Sequence, residues 1–193
     1  MKGARLTVFH ASDFQVGAPF LPEAAEAMLR VFEYVSPDVV VVSGDLTQRA
    51  KREEFQLARR TLDRFGAGTP IVVTPGNHDV PLYRFWERIA GPFMKWDTFV
   101  GGRGRDTVTR VPGATFVALA SAAPRRAVVN GRIDEPQLAF ARRAFTAAPS
   151  PDDLRIVVTH HHFVPAPDGD GGSPLPQAAE IAAAFQEMGA DAV

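Results

Sequence analysis

Four short apolar runs, rich in β-branched residues, punctuate the chain at Leu6 to Phe9, Val39 to Val42, Ile71 to Val73 and Ile156 to Val158. Their length and composition predict strands, and their continuous polarity predicts that both strand faces are covered. Between them apolar residues step by three and four, first Ala25, Met28, Phe32 and Val35, then Phe55, Ala58, Leu62 and Phe65. That spacing lines one helix face, so the chain reads as βαβ units around a parallel sheet. The middle differs: Asp106 to Val111 and Thr115 to Ala120 flank Pro112-Gly113, a turn pair that predicts an antiparallel hairpin in a second sheet. Two further helices are expected, one opening at Asp134 with Pro136 in its first turn and burying Leu138 and Phe145, the other burying Ile181, Phe185 and Met188. Pro165 to Pro174 reads as a loop of Gly, Pro and Asp. Gly101 to Gly104 reads as a turn, because no strand leads into it as a phosphate cradle requires.

A length of 193 residues with 46% apolar content suffices for one substantial core, and a single domain over 1–193 is the expectation. The 21 basic and 22 acidic side chains nearly cancel, so any anionic substrate must be captured locally rather than by a general field. That balance favours a small molecule over duplex nucleic acid. There is no cysteine, which excludes disulfides, thiolate zinc sites and thiol nucleophiles. Neither a signal-peptide core nor a membrane-spanning run is present, so a cytoplasmic protein without membrane contact is expected; oligomeric state is left open.

The chemistry lies just past the end of each apolar run. His10-Ala-Ser-Asp13-Phe-Gln15 succeeds the first, Gly44-Asp45 the second, Gly76-Asn77-His78-Asp79 the third and His160-His161-His162 the fourth. If all four strands share one parallel sheet, these ends meet at one edge, where open α/β sheets bind ligands. Two carboxylates brought together repel unless a cation separates them, and mixed oxygen and imidazole donors suit Mn, Fe or Zn. Gly44 and Gly76 allow the backbone to turn sharply off each strand.

The runs Ser12 to Gln15, Ser43 to Gln48, Pro75 to Asp79 and Thr159 to His161 resemble, in order and rough spacing, the first four motifs of the calcineurin-like metallophosphoesterases. Gly44 to Arg49 and Gly76 to Leu82 look closest to the bacterial branch related to cyclic-nucleotide phosphodiesterases. The resemblance implies a four-layer α/β/β/α sandwich of two mixed sheets flanked by helices, around a centre of two divalent metal ions. It implies that Asp13 binds the first metal, Asp45 bridges both, and Asn77 and His160 bind the second. His78 would meet the substrate and stabilise or protonate the leaving oxygen, with Asp79 orienting it. The reaction implied is hydrolysis of a small phosphoester, a phosphodiester or nucleotide among the candidates, by hydroxide formed from a bridging water.

Two departures stand out. Gln15 occupies a position where the family has His, and an amide oxygen is a weaker donor for a transition metal, so Gln15 contributes weakly, binds through water or leaves the first site partly empty. Gly189 to Val193 looks like the start of a further strand, which in the family delivers a Gly-His-x-His loop, so a chain truncated before that motif is expected. These departures keep open a catalytically impaired relative that acts as a binding or scaffold protein. His160 aligns best with the family ligand, while His161 either replaces it or stands behind it, and His162 is read as a loop residue. His10 either orients a ligand or ends a buried strand. Arg49, Lys51, Arg52, Arg59 and Arg60 read as a solvated face, and Phe14, Phe20, Tyr83, Phe85 and Trp86 as core before pocket lining.

Overall fold

The computed structural model describes residues 5–66, 68–101, 104–125, 131–165 and 173–193. The parts of the Gly101 to Gly104 turn and the Pro165 to Pro174 loop at 102–103 and 166–172 lie outside them. The elements run β1 (Val8–Ala11), α1 (Pro22–Val35), β2 (Val39–Ser43), α2 (Arg52–Asp63), β3 (Ile71–Thr74), α3 (Phe85–Ala90), α4 (Met94–Phe99), β4 (Thr107–Val111), β5 (Ala114–Ala118), α5 (Glu135–Thr146), β6 (Leu154–Val158) and α6 (Ala178–Glu187). Two three-stranded sheets result, ordered β1-β2-β3 and β4-β5-β6. The first is parallel, with Val8 opposite Val39 and Val40 opposite Ile71. The second joins the expected hairpin to a strand parallel with β5.

That last strand corrects one expectation. The fourth apolar run lies in the second sheet, not beside the first three. A βαβ crossover through α5 sets it next to β5, and the apolar residues that made it look like its three predecessors serve equally well in either sheet. Ala192 forms a parallel bridge with Ile156, continuing that sheet where the sequence suggests a further strand begins.

Three buried layers hold four layers of structure together. Along β2, Val40 and Val42 face α1 and α2 with Leu29, Phe32, Phe55, Leu62 and Phe65. The alternate residues Val39 and Val41 face the second sheet, meeting Val111, Phe116 and Val158. Period-two alternation with a core on each side is why β2 is apolar throughout. On the far side Val117, Leu119 and Val157 pack against Phe145 of α5 and Ile181 and Phe185 of α6. Helix, sheet, sheet, helix is the sandwich the sequence implies.

Helix α5 carries its own start signal. At α5, Asp134 accepts from the Gln137 amide at 3.2 Å and Gln137 returns the contact to the Asp134 N–H at 3.1 Å. Asp134→Ala is therefore expected to cost about 1 kcal/mol, read as a lowered urea midpoint with an unchanged slope. Helices α3 and α4 carry no such signal, and each has only six residues. Among the described residues, no helix is long and apolar enough to cross a membrane.

Candidate metal centre

The loops after β1 and β2 are laced together by their backbones. The amides of Asp13, Gln15 and Val16 donate to the carbonyls of Gly44, Asp45 and Leu46 at 3.1, 2.9 and 2.9 Å. Asp13, Gln15 and Asp45 all adopt left-handed conformations, with φ of 56°, 42° and 53°. Non-glycine residues in that region are strained, and such strain concentrates at functional sites. The neighbouring glycines answer to close approach. A Cβ on Gly44 would sit 2.7 Å from Nδ1 of His160, and one on Gly76 would overlap the Asp45 carboxylate.

Three of the residues singled out from sequence come together here. Asp13, Asp45 and His160 each offer a donor atom, and these atoms lie within 4.8 Å of one another. Asn77 joins them, its Oδ1 lying 3.1 Å from Nε2 of His160. The Ser43 carbonyl lies 2.9 Å from His160 Nδ1 and can only accept, so Nδ1 carries a proton. In the neutral ring, Nε2 then presents its lone pair toward the Asn77 oxygen and toward Asp45 Oδ2 at 3.5 Å. Lone pairs gathered around one point, with the imidazole oriented by a backbone carbonyl, suit a cation.

Electrostatics agree. Burial pushes the Asp45 carboxyl above its ordinary range; His160 and the His78 amide draw it back, and Asp13 adds a smaller upward push. A buried acid with another acid beside it gains most from an added positive charge.

His78 and Asp79 are held by different partners. The Asp79 carboxylate is buried, and one oxygen accepts from the Thr47 amide at 2.9 Å and the other from Gly76 and Leu46 at 3.0 and 3.2 Å. Its oxygens accept from these amides and from the Thr47 hydroxyl, and so tie the loops after β2 and β3 together. Burial pushes this carboxyl up to about 6, against the pull of the Gly76 amide. The ring is held by the Gln48 carbonyl, 2.8 Å from Nδ1. The His78 amide in turn donates to Asp45 Oδ1 at 2.8 Å. Sequence reasoning missed the carbonyls of Ser43 and Gln48, because a backbone acceptor has no residue signature.

The other candidates spread out. His161 is buried beside His160, its Nδ1 meeting the Ser121 hydroxyl at 2.7 Å, and Gly131 packs so close that a Cβ there would strike its ring. His162 is half-buried on the loop after β6. His10 is exposed rather than buried, with Nε2 2.8 Å from the Ser43 hydroxyl. Gln15 is half-buried and lines a pocket beside Asp13. Arg49, Lys51, Arg52, Arg59 and Arg60 are all exposed. Phe14 and Phe20 pack against the first core, whereas Tyr83, Phe85 and Trp86 are 79%, 60% and 80% exposed and so are not core.

Comparison with known proteins matches residues 6–193 to the calcineurin-like phosphoesterase family. A stretch of 43 residues is 46% identical to the glycerophosphodiester phosphodiesterase GpdQ of Enterobacter lignolyticus strain SCF1, covering 22% of this chain and 15% of that protein. Among solved structures, the purple acid phosphatase PPD1 from yellow lupin (Lupinus luteus) seeds superposes with a TM-score of 0.70 at 14% identity, over 97% of this chain and 37% of that one. The protein TT1561 of Thermus thermophilus gives 0.58 at 14% identity, over 96% and 79%. The two structures share the fold, and the chain spans well under half the length of the phosphodiesterase and of the lupin phosphatase.

Proposed function

The chain belongs to the calcineurin-like phosphoesterase family, and from that premise we propose that it hydrolyses a small phosphoester, a phosphodiester in preference to a monoester, at a centre of two divalent cations drawn from Mn, Fe and Zn. The observation that carries the reading is the convergence of Asp13, Asp45 and His160 donor atoms within 4.8 Å, with Asn77 alongside. The local likeness to a glycerophosphodiester phosphodiesterase supports the diester preference.

Asp13 and Asp45 would hold the first cation, and Asp45, Asn77 and His160 the second. When bound, the cations supply Lewis-acid charge to a phosphoryl oxygen and make a water acidic enough to serve as nucleophile near neutral pH. The chain's own groups do the rest. Asp45 links the two positions and, through its bond to the His78 amide, fixes the loop that carries His78. With Nδ1–H held by the Gln48 carbonyl, Nε2 is the end of the His78 ring left to face the departing oxygen, and the doubly protonated ring is the form that hands it a proton. Asp79 positions both loops and does not meet the substrate.

Purified protein given Mn is expected to turn over bis-p-nitrophenyl phosphate and to stop when EDTA is added. Absence of turnover with Mn, Fe and Zn alike would sink the proposal. Each bound cation is expected to stabilise the fold by about 2.7 kcal/mol when its free concentration is a hundred times its Kd, measured as a rise in Tm by scanning calorimetry.

A further inference from the structure

A pocket of about 370 Å3 opens beside the metal centre, between the loop after β1 and helices α1 and α2. Its size falls within the range of about 300 to 1,000 Å3 usual for small-molecule sites. Asp13, Gln15 and Gln48 line it, so it borders a proposed metal ligand and the residue whose carbonyl holds His78. The remaining walls are mostly apolar: Phe14, Phe20, Leu21 and Met28, with Ala24 and Ala25 between them. Phe14, Phe20 and Met28 are only partly buried and pack against the first core as well as lining the pocket. Their positions are therefore set by the fold. Thr61 also lines it, and its hydroxyl already donates to the Leu57 carbonyl at 3.2 Å.

We infer that this pocket is the subsite for one ester group of the substrate and that the group is apolar, an alkyl chain or aryl ring. The inference rests on the phosphoester reading above and narrows it. Side chains able to pair with hydroxyls are concentrated on Ser12, Asp13, Gln15 and Gln48, around the metal centre. A glycerol or sugar hydroxyl set among Phe14, Phe20, Leu21 and Met28 would give up part of its water for at most the Thr61 oxygen as a partner, which is unfavourable. A methylene there gains what its removal from water yields, a three- to fourfold tightening for each one buried. A phosphoryl group held by cations at the Asp13 end of the pocket would set one ester oxygen toward the boundary between these two environments, so that an apolar substituent would continue into the pocket.

The test measures binding and turnover separately. Methyl-, butyl- and hexylphosphonate are titrated calorimetrically into the Mn-loaded protein, and hydrolysis of p-nitrophenyl methyl and p-nitrophenyl butyl phosphate is followed in parallel. Affinity is expected to rise roughly three- to fourfold per methylene until the pocket is full. Ala25→Phe, which fills the space, and Met28→Gln, which makes a wall polar, are each expected to flatten that rise. Equal affinity for all three phosphonates, or no binding of any, overturns the subsite whatever the turnover. A chain-length slope without hydrolysis of either ester keeps the subsite and overturns the hydrolase reading. Hydrolysis without a slope does the reverse.

Discussion

Asp45→Asn is expected to lower the turnover of a phosphodiester by about a thousandfold, a barrier increase of about 4 kcal/mol. The substitution keeps the side chain's shape and one oxygen that accepts from the His78 amide, so the loop after β3 stays in place. What it removes is the charge shared by both proposed cation positions. The same change acts in the opposite direction on the metal-free fold. Burial disfavours the Asp45 carboxylate, so a neutral amide at that place relieves a cost. The variant without metal should unfold at the same urea concentration as the parent or at a higher one, while the rise in Tm that Mn gives the parent disappears. A residue kept for structure would lose stability and spare activity. Retention of turnover within tenfold of the parent would remove Asp45 from the centre.

This opposition of stability and function explains why the site was legible in the sequence at all. Asp13, Asp45, Asn77 and His160 stand where an apolar run gives way to polar residues, with a glycine just before Asp45 and just before Asn77. Nothing in strand formation asks for a carboxylate beside another carboxylate. Such local disagreement with folding preferences marks sites kept for chemistry. The glycines were legible for a related reason, since the Gly76 position leaves no room for a side chain beside Asp45.

Other parts were not legible, for physical reasons. An apolar strand looks the same from either sheet, and the sheet that receives β6 is decided by the crossover through α5, a tertiary matter. The family resemblance gives Asp79 the task of orienting His78. Adjacent residues in a turn can project in different directions, and this carboxylate turns inward to four donors on Leu46, Thr47 and Gly76. Tyr83 and Trp86 have core-like side chains, yet the short helix that opens at Phe85, just past Tyr83, leaves both outside.

Asp79→Ala is expected to destabilise the fold by about 3 to 5 kcal/mol. The carboxylate is 1% exposed and bridges loops separated by some thirty positions in sequence, as its bonds to Thr47 and Gly76 show. Alanine leaves the amides of Leu46, Thr47 and Gly76 without that acceptor, in a place closed to water, while the Thr47 hydroxyl keeps the His78 carbonyl at 3.1 Å. Each such orphan donor costs about 1 to 3 kcal/mol, and the relief of removing a carboxyl that burial disfavours offsets only part of the sum. A domain of this size has about 5 to 15 kcal/mol in hand, so the variant sits near the edge of folding. Asp79→Asn retains one acceptor oxygen and is expected to lose roughly half as much. Activity should then follow the folded fraction, because the Asp79 oxygens are taken up by these loop donors. Denaturant midpoints for the two variants, set beside turnover per folded molecule, decide the matter: a stable Asp79→Ala protein with no activity would place Asp79 in the chemistry instead of beneath it.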